Sequence, residues 1–265
     1  MPNAARPARA GAPRHTLLHA ALNGARSAGE HPAIPASPAQ LAADAAGAVR
    51  AGADALHVHV RDAGGAESLA VDDVLAVLAA VRAACPGVPC GVSTGAWIVP
   101  DPAERLARVR AWPAPAGGGP DVASVNFDEP GAVAVAAALL DRGVDVEAGL
   151  SGPAAADVLR ESGLIGRCVR LLLEPPEATL PDALATVAAL EARLDGADAR
   201  AADAPRPRLL HGQEATTWAL LRLAGGRGYA ARIGFEDTLC VPDGARAADN
   251  AALVRAARDV LAGEG

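Results

Sequence analysis

Eight times along the chain, an apolar run of strand length gives way to a longer stretch with helical periodicity. The strand-length runs are 16–22, 54–60, 88–93, 122–126, 144–148, 168–173, 207–211 and 230–234. The helical stretches are 38–51, 70–84, 102–112, 131–141, 153–162, 180–195, 214–225 and 246–262. Short apolar runs bounded by turn residues read as buried strands, and a helix between each pair is the crossover that parallel pairing needs. Eight such units predict the α/β class, as a (β/α)8 TIM barrel in a single domain over residues 16–265. A doubly wound sheet is the alternative, but no G-x-G-x-x-G follows the first strand. Residues 1–15 scatter Arg6, Arg9 and Arg14 among Ala and Pro without an apolar middle. They read as a disordered tail rather than a targeting segment. The charged, Pro-bearing stretch 195–208 reads as a surface loop.

Local chemistry supports the helix starts. Ser37-Pro38-Ala39-Gln40 sets a capping hydroxyl, a proline at the first helical position and a Gln that reaches back; Asp101-Pro102-Ala103-Glu104 repeats this with a carboxylate. Over 70–84, Val71, Val74, Leu75, Leu78 and Val81 form one apolar stripe.

Composition removes several kinds of function. Aromatic residues are only 2% of the chain while hydrophobic residues are 51%, so the core must be aliphatic. A net charge of −7 argues against a nucleic-acid partner, which needs a basic face. No apolar run is long enough to cross a bilayer, so no membrane association is expected. Every basic side chain other than His is Arg; with no Lys, neither a Schiff base nor a P-loop lysine is available. Cys85, Cys90, Cys168 and Cys240 form no Cys-x-x-Cys pair, and free thiols in a reducing cytoplasm are expected.

Two stretches carry chemistry. HVHVRD, 57–62, offers His57 and His59 two apart on a strand, hence on one face. Neutral imidazoles so placed bind a divalent metal when a carboxylate joins them. RIGFEDTL, 232–239, offers Glu236 and Asp237 just past the last strand, on the face of a barrel where functional residues gather. If one carboxylate binds metal, the other is free as a base, with Arg232 to hold it ionised. The bland readings are core histidines held by hydrogen bonds and a surface Arg–Asp pair worth little. Ser93, Thr94 and Gly95 at the third strand's exit offer hydroxyls and backbone N–H groups to an anion, or simply make a turn. Ser124 and Asn126 share a face of the fourth strand, Glu147 lies in the fifth, and His211 ends the seventh.

Taken in order, the chain shows N-G-A with a Pro-rich loop after the first strand, then GADALHVHVRD, STG, S-V-N, a Glu in strand five, and RIGFEDTL. This resembles the β-keto acid cleavage enzymes, the group of the 3-keto-5-aminohexanoate cleavage enzyme, from about residue 16 to the last helix. The resemblance implies a (β/α)8 barrel, a homo-oligomer (dimer or tetramer), and zinc or another divalent metal held by His57, His59 and Glu236. It further implies Asp237 as base, supported by Arg232, with Ser93, Asn126 and Glu147 in the substrate site. The implied reaction joins a 3-keto acid to acetyl-CoA and splits the adduct into acetoacetate and a new acyl-CoA. The position after N-G-A is acidic in the enzyme that takes an amino-bearing substrate and is Arg26 here. A substrate with an anionic or neutral distal group is therefore expected. The competing readings are another metal-dependent barrel hydrolase or aldolase, and a non-catalytic barrel that binds an acyl-CoA.

Overall fold

The structure is a computed structural model and describes residues 16–201 and 206–263. The expected tail, 1–15, and part of the expected loop, 202–205, lie outside the described residues. Eight strands form the barrel: β1 Leu18–Ala21, β2 Ala55–Val58, β3 Cys90–Ser93, β4 Val122–Asn126, β5 Asp145–Leu150, β6 Arg170–Leu173, β7 Arg208–Leu210 and β8 Ala230–Ile233. Each pairs in parallel with its sequence neighbour, and β8 closes onto β1. Among the described residues, eight α-helices alternate with them: α1 Pro38–Arg50, α2 Val71–Ala84, α3 Pro102–Ala111, α4 Ala132–Asp141, α5 Pro153–Ser162, α6 Leu180–Ala201, α7 Thr217–Arg227 and α8 Asn250–Ala262. The fold is thus the (β/α)8 barrel that the alternation predicts. No helix among the described residues is long and apolar enough to cross a membrane.

Capping fixes several boundaries. Ser37 and Gln40 form the expected capping box at α1, and Asp101 accepts from the Glu104 N–H at α3. The last helix begins at Asn250 rather than 246, because Asp249 caps it through the Ala252 N–H. A 3-10 turn, Glu214–Thr216, delays α7 to Thr217. The backbone of α6 continues to Ala201, through half of the stretch read as a loop. On α2 the buried stripe is Val74, Val77, Leu78 and Val81, with Val71 and Leu75 only partly covered.

Alternation along the strands sorts the side chains. On β1, Leu18 and Ala20 join the aliphatic core between sheet and helices, as do Leu56 and Val58 on β2. His19 and His57 therefore face the barrel interior. That interior is polar: His19, His57, Ser93, Ser124, Glu147 and Arg232 are all buried within it. At its amino-terminal end the Arg170 Nε lies 2.9 Å from Glu147 Oε1, and the same guanidinium contacts His19. The barrel closes tightly where β8 ends. A Cβ at Gly234 would overlap the Ala21 carbonyl oxygen, so only glycine allows this approach.

Candidate metal centre and its acid–base neighbours

His57 lies inside β2, and His59 falls one residue beyond that strand's end. Asn23 keeps the chain extended there, accepting the His59 N–H at 2.9 Å and donating to the His59 carbonyl at 2.9 Å. Both imidazoles thus turn to the same side, their centroids 5.3 Å apart. Glu236 arrives from the loop after β8. Gly24, in the left-handed region at φ +56°, makes room for it, since a Cβ there would stand 2.5 Å from Glu236 Cγ. The Asn-Gly pair after β1 therefore serves two of the three side chains.

Glu236 Oε2 lies 3.7 Å from His57 Nε2, and Oε1 lies 3.5 Å from His59 Nε2. One donor atom from each residue falls within 4.8 Å of the others, the one such group among the described residues. Donors around a tetrahedral ion at about 2.1 Å stand roughly 3.4 Å apart, so the set fits a single cation. Glu236 Oε2 is also buried without a hydrogen-bond partner, a cost that a bound cation would remove. Three protein donors leave a position open to substrate.

The charges are arranged to match. Burial drives His57 down to about 3, against the pull of Glu236, so its ring is neutral. Burial also works to lower His59, but Glu236 and Glu67 outweigh it and lift that ring to about 9. Glu236 sits well below the carboxylate range because Arg232, His59 and His57 overcome its desolvation. Glu67 accepts from His59 Nδ1, which leaves Nε2 aimed at the site. The Trp97 Nε1–H donates to the other Glu67 oxygen at 3.0 Å, and the indole stacks on the His59 ring. Gly95 is what admits that indole.

Arg232 donates to Asp237 Oδ1 at 2.6 Å and to Glu236 Oε1 at 3.0 Å. Burial alone would lower the guanidinium's pKa, but these two carboxylates raise it, so it stays charged. Asp237 is 0% exposed and does not reach the cavity wall; Arg232 and His211 lie against it.

The cavity above the site has a volume of about 470 Å³, and its walls include His57, His59, Ser93, Ser124, Asn126 and Glu236. Thr94 and Gly95 are not on them. The Thr94 hydroxyl donates to the Ser124 carbonyl at 2.7 Å, and the Gly95 N–H donates to Ser93 Oγ at 3.3 Å, so the turn itself uses both donors. Glu147 is not on the wall either. It sits deeper in the barrel against Arg170, and burial raises its pKa. Arg26 does reach the wall, but Glu30 and Glu214 both pair with it. Asn23, Glu67, Trp97 and Glu174 shape the site without having stood out as site residues in the sequence. Only the Asn23-Gly24 pair left a local signal.

The model of the family described as beta-keto acid cleavage enzyme matches residues 15–163 and 180–265. The chain belongs to this family. One curated family member, the 3-keto-5-aminohexanoate cleavage enzyme of Fusobacterium nucleatum subsp. nucleatum, is 34% identical over 91 residues. That match spans 34% of each chain, about a third of the curated relative's length. Among solved structures, a ternary complex of ObcA with a C4-CoA adduct and oxalate superposes with a TM-score of 0.69 at 18% identity, covering 88% of this chain and 65% of ObcA. The N-acetylmannosamine-6-phosphate 2-epimerase of Clostridium perfringens superposes with a TM-score of 0.54 at 11% identity, covering 84% and 87%. At such identities both structures speak for the barrel fold alone.

Proposed function

We propose that this β-keto acid cleavage family member is metal-dependent and exchanges acyl groups between a 3-keto acid and acetyl-CoA, yielding acetoacetate and a new acyl-CoA. The observation that carries the reading is the convergence of His57, His59 and Glu236 at the floor of a cavity, with Arg232 beside them. Two imidazoles and a carboxylate suit zinc. A divalent cation held there would supply Lewis-acid polarisation of the keto acid's carbonyl. The absence of lysine is consistent with this, since no iminium is available to do the same work.

The remaining roles belong to the chain's own groups. Ser93, Ser124 and Asn126 present hydroxyl and amide groups along the wall, where they orient the substrate carboxylate. Arg232 stays charged and holds Asp237. Acid–base work falls to the Asp237 carboxylate together with the groups that connect it to the cavity. Arg26 already has two carboxylate partners, so a neutral distal group on the substrate fits better than an anionic one. We include in the proposal a homo-oligomeric assembly in solution, which sedimentation would test.

The test combines a panel of 3-keto acids and acetyl-CoA with mass spectrometry of the thioesters formed. New acyl-CoA together with acetoacetate is expected; release of free CoA, or turnover without thioester, would point to a hydrolase or aldolase. Glu236→Gln should lose bound metal, and Asp237→Asn should keep it while losing rate by about 10²-fold or more. Full metal and full activity in Glu236→Gln would overturn the assignment.

A further inference from the structure

Asn250 opens α8, but Asp249 supplies the cap there, so the Asn250 side chain is not needed for capping. It is 0% exposed, in a layer between sheet and helices built chiefly from aliphatic side chains. A buried amide costs free energy in such a place unless its polar atoms find partners. Oδ1 accepts from the Phe235 N–H at 2.7 Å. Nδ2 donates to the Leu22 carbonyl at 2.7 Å and to Asp44 Oδ2, on α1, at 2.6 Å. The backbone partners settle which end is oxygen, because an N–H only donates and a carbonyl only accepts.

The two backbone partners lead to all three candidate metal ligands. Phe235 immediately precedes Glu236. Leu22 lies between β1 and Asn23, and its own N–H donates to the His57 carbonyl at 2.9 Å. Asn23 in turn holds the His59 backbone through both its N–H and its carbonyl. The β1–β8 ladder ends at Ala20 and Ile233, below these residues. Past that point a backbone bond from the Glu236 N–H to the Ala21 carbonyl, at 3.2 Å, carries the connection on, and the Asn250 amide bridges it again from outside the barrel.

We propose that Asn250 is a positioning residue for the metal centre: anchored on Asp44, its amide holds the Glu236 segment in register with the segment that sets His57 and His59. This rests on the metal centre proposed above. An aliphatic side chain of similar size would fill the same space; what the amide adds is a fixed relation between two loops, since a fully satisfied buried polar network rigidifies what it joins. With the clamp in place the three donors are already together when a cation arrives. Without it, ordering the Glu236 loop becomes part of the binding step and weakens affinity.

The experiment measures Zn2+ affinity of the full-length protein by chelator competition, and the visible absorption spectrum of Co2+ bound in its place. Asn250→Ala removes every bond of the clamp and should weaken Zn2+ binding by about 10–100-fold, with an altered Co2+ spectrum. The double variant Asn250→Asp with Asp44→Asn reverses the anchoring pair, keeps the acceptor for Phe235 and loses only the donor to Leu22. It should weaken binding by about 3–10-fold, and it decides the matter if Asn250→Ala does not fold. Val135→Ala, a core truncation on α4 across the barrel, lowers the melting temperature without touching the clamp and should keep wild-type affinity and spectrum. If wild type binds metal and both Asn250 variants match it in affinity and spectrum, or if Val135→Ala loses as much as they do, the clamp is merely structural; this proposal then falls and the metal centre stands. If wild type binds neither Zn2+ nor Co2+, the metal centre falls and takes this proposal with it.

Discussion

Replacing Glu67 by Gln tests how the candidate metal centre is built. Glu67 accepts from His59 Nδ1, takes a second hydrogen bond from Trp97 at 3.0 Å, and has a side chain only 12% exposed. Gln keeps the shape and removes the charge. Two effects follow, with opposite signs. Loss of a carboxylate behind a metal-binding His costs about 10–100-fold in metal affinity, or roughly 1.4–2.7 kcal/mol. Against this, the His59 ring in the metal-free protein titrates at about 9, partly because of Glu67, so a cation must displace a proton below that pH. At pH 7 that displacement costs wild type about two pH units, or roughly 2.7 kcal/mol, and the Gln variant is spared part of it. The defect of Glu67→Gln should therefore be small near pH 7 and grow toward its full 10–100-fold at pH 9 and above. Competition titration against a chromophoric chelator at pH 7, 8 and 9 measures it. Equal affinities at every pH, or a defect that shrinks as pH rises, would refute the assigned role of Glu67.

Further outcomes follow from the same packing. Asp44 is lifted from 3.8 to about 6, chiefly by burial, although Asn250 donates to it at 2.6 Å. A folded-state value above the unfolded one means stability is lost as pH climbs from about 4 to 6, by up to about 3 kcal/mol. Asp44→Asn should therefore raise urea stability at pH 7.5, with the gain narrowing toward pH 4.5; a constant gain across that range would contradict the buried-charge account. Gly234→Ala forces a Cβ against the Ala21 carbonyl and should cost at least about 3 kcal/mol, seen as a lower melting temperature or insoluble protein. Trp97→Phe keeps a ring over His59 but loses the hydrogen bond to Glu67; metal should bind only about 5-fold more weakly, near 1 kcal/mol, and a loss as large as that of Glu236→Gln would make Trp97 more than a support.

The barrel was legible from the sequence because its signals are local. Strand runs and helical stripes repeat with periods fixed by backbone geometry, and Ser37, Asp101 and their partners mark helix starts within four residues. The His57/His59 pair was legible for the same reason, and so was the Arg232-to-Asp237 cluster, since each lies within one short segment. Their convergence on one point rests on the closure of β8 onto β1.

What the sequence alone did not reveal are contacts made between loops of different units. Glu67 folds back on His59 across eight positions, and Trp97 reaches it from the third unit. Glu174, His211 and Asp237 come from three successive strand exits and meet only in the closed barrel. Depth was likewise invisible: Glu147 points inward as expected, yet a strand places residues along the barrel axis at about 3.3 Å each, and Glu147 falls a layer too deep to line the cavity. The amino-acid order thus determined the elements and their faces, because those follow from backbone periods and nearby side chains. Which carboxylate meets the imidazole pair, which one reaches the cavity, and which is sealed beneath them was decided only by the angular and axial positions that closing eight strands imposes.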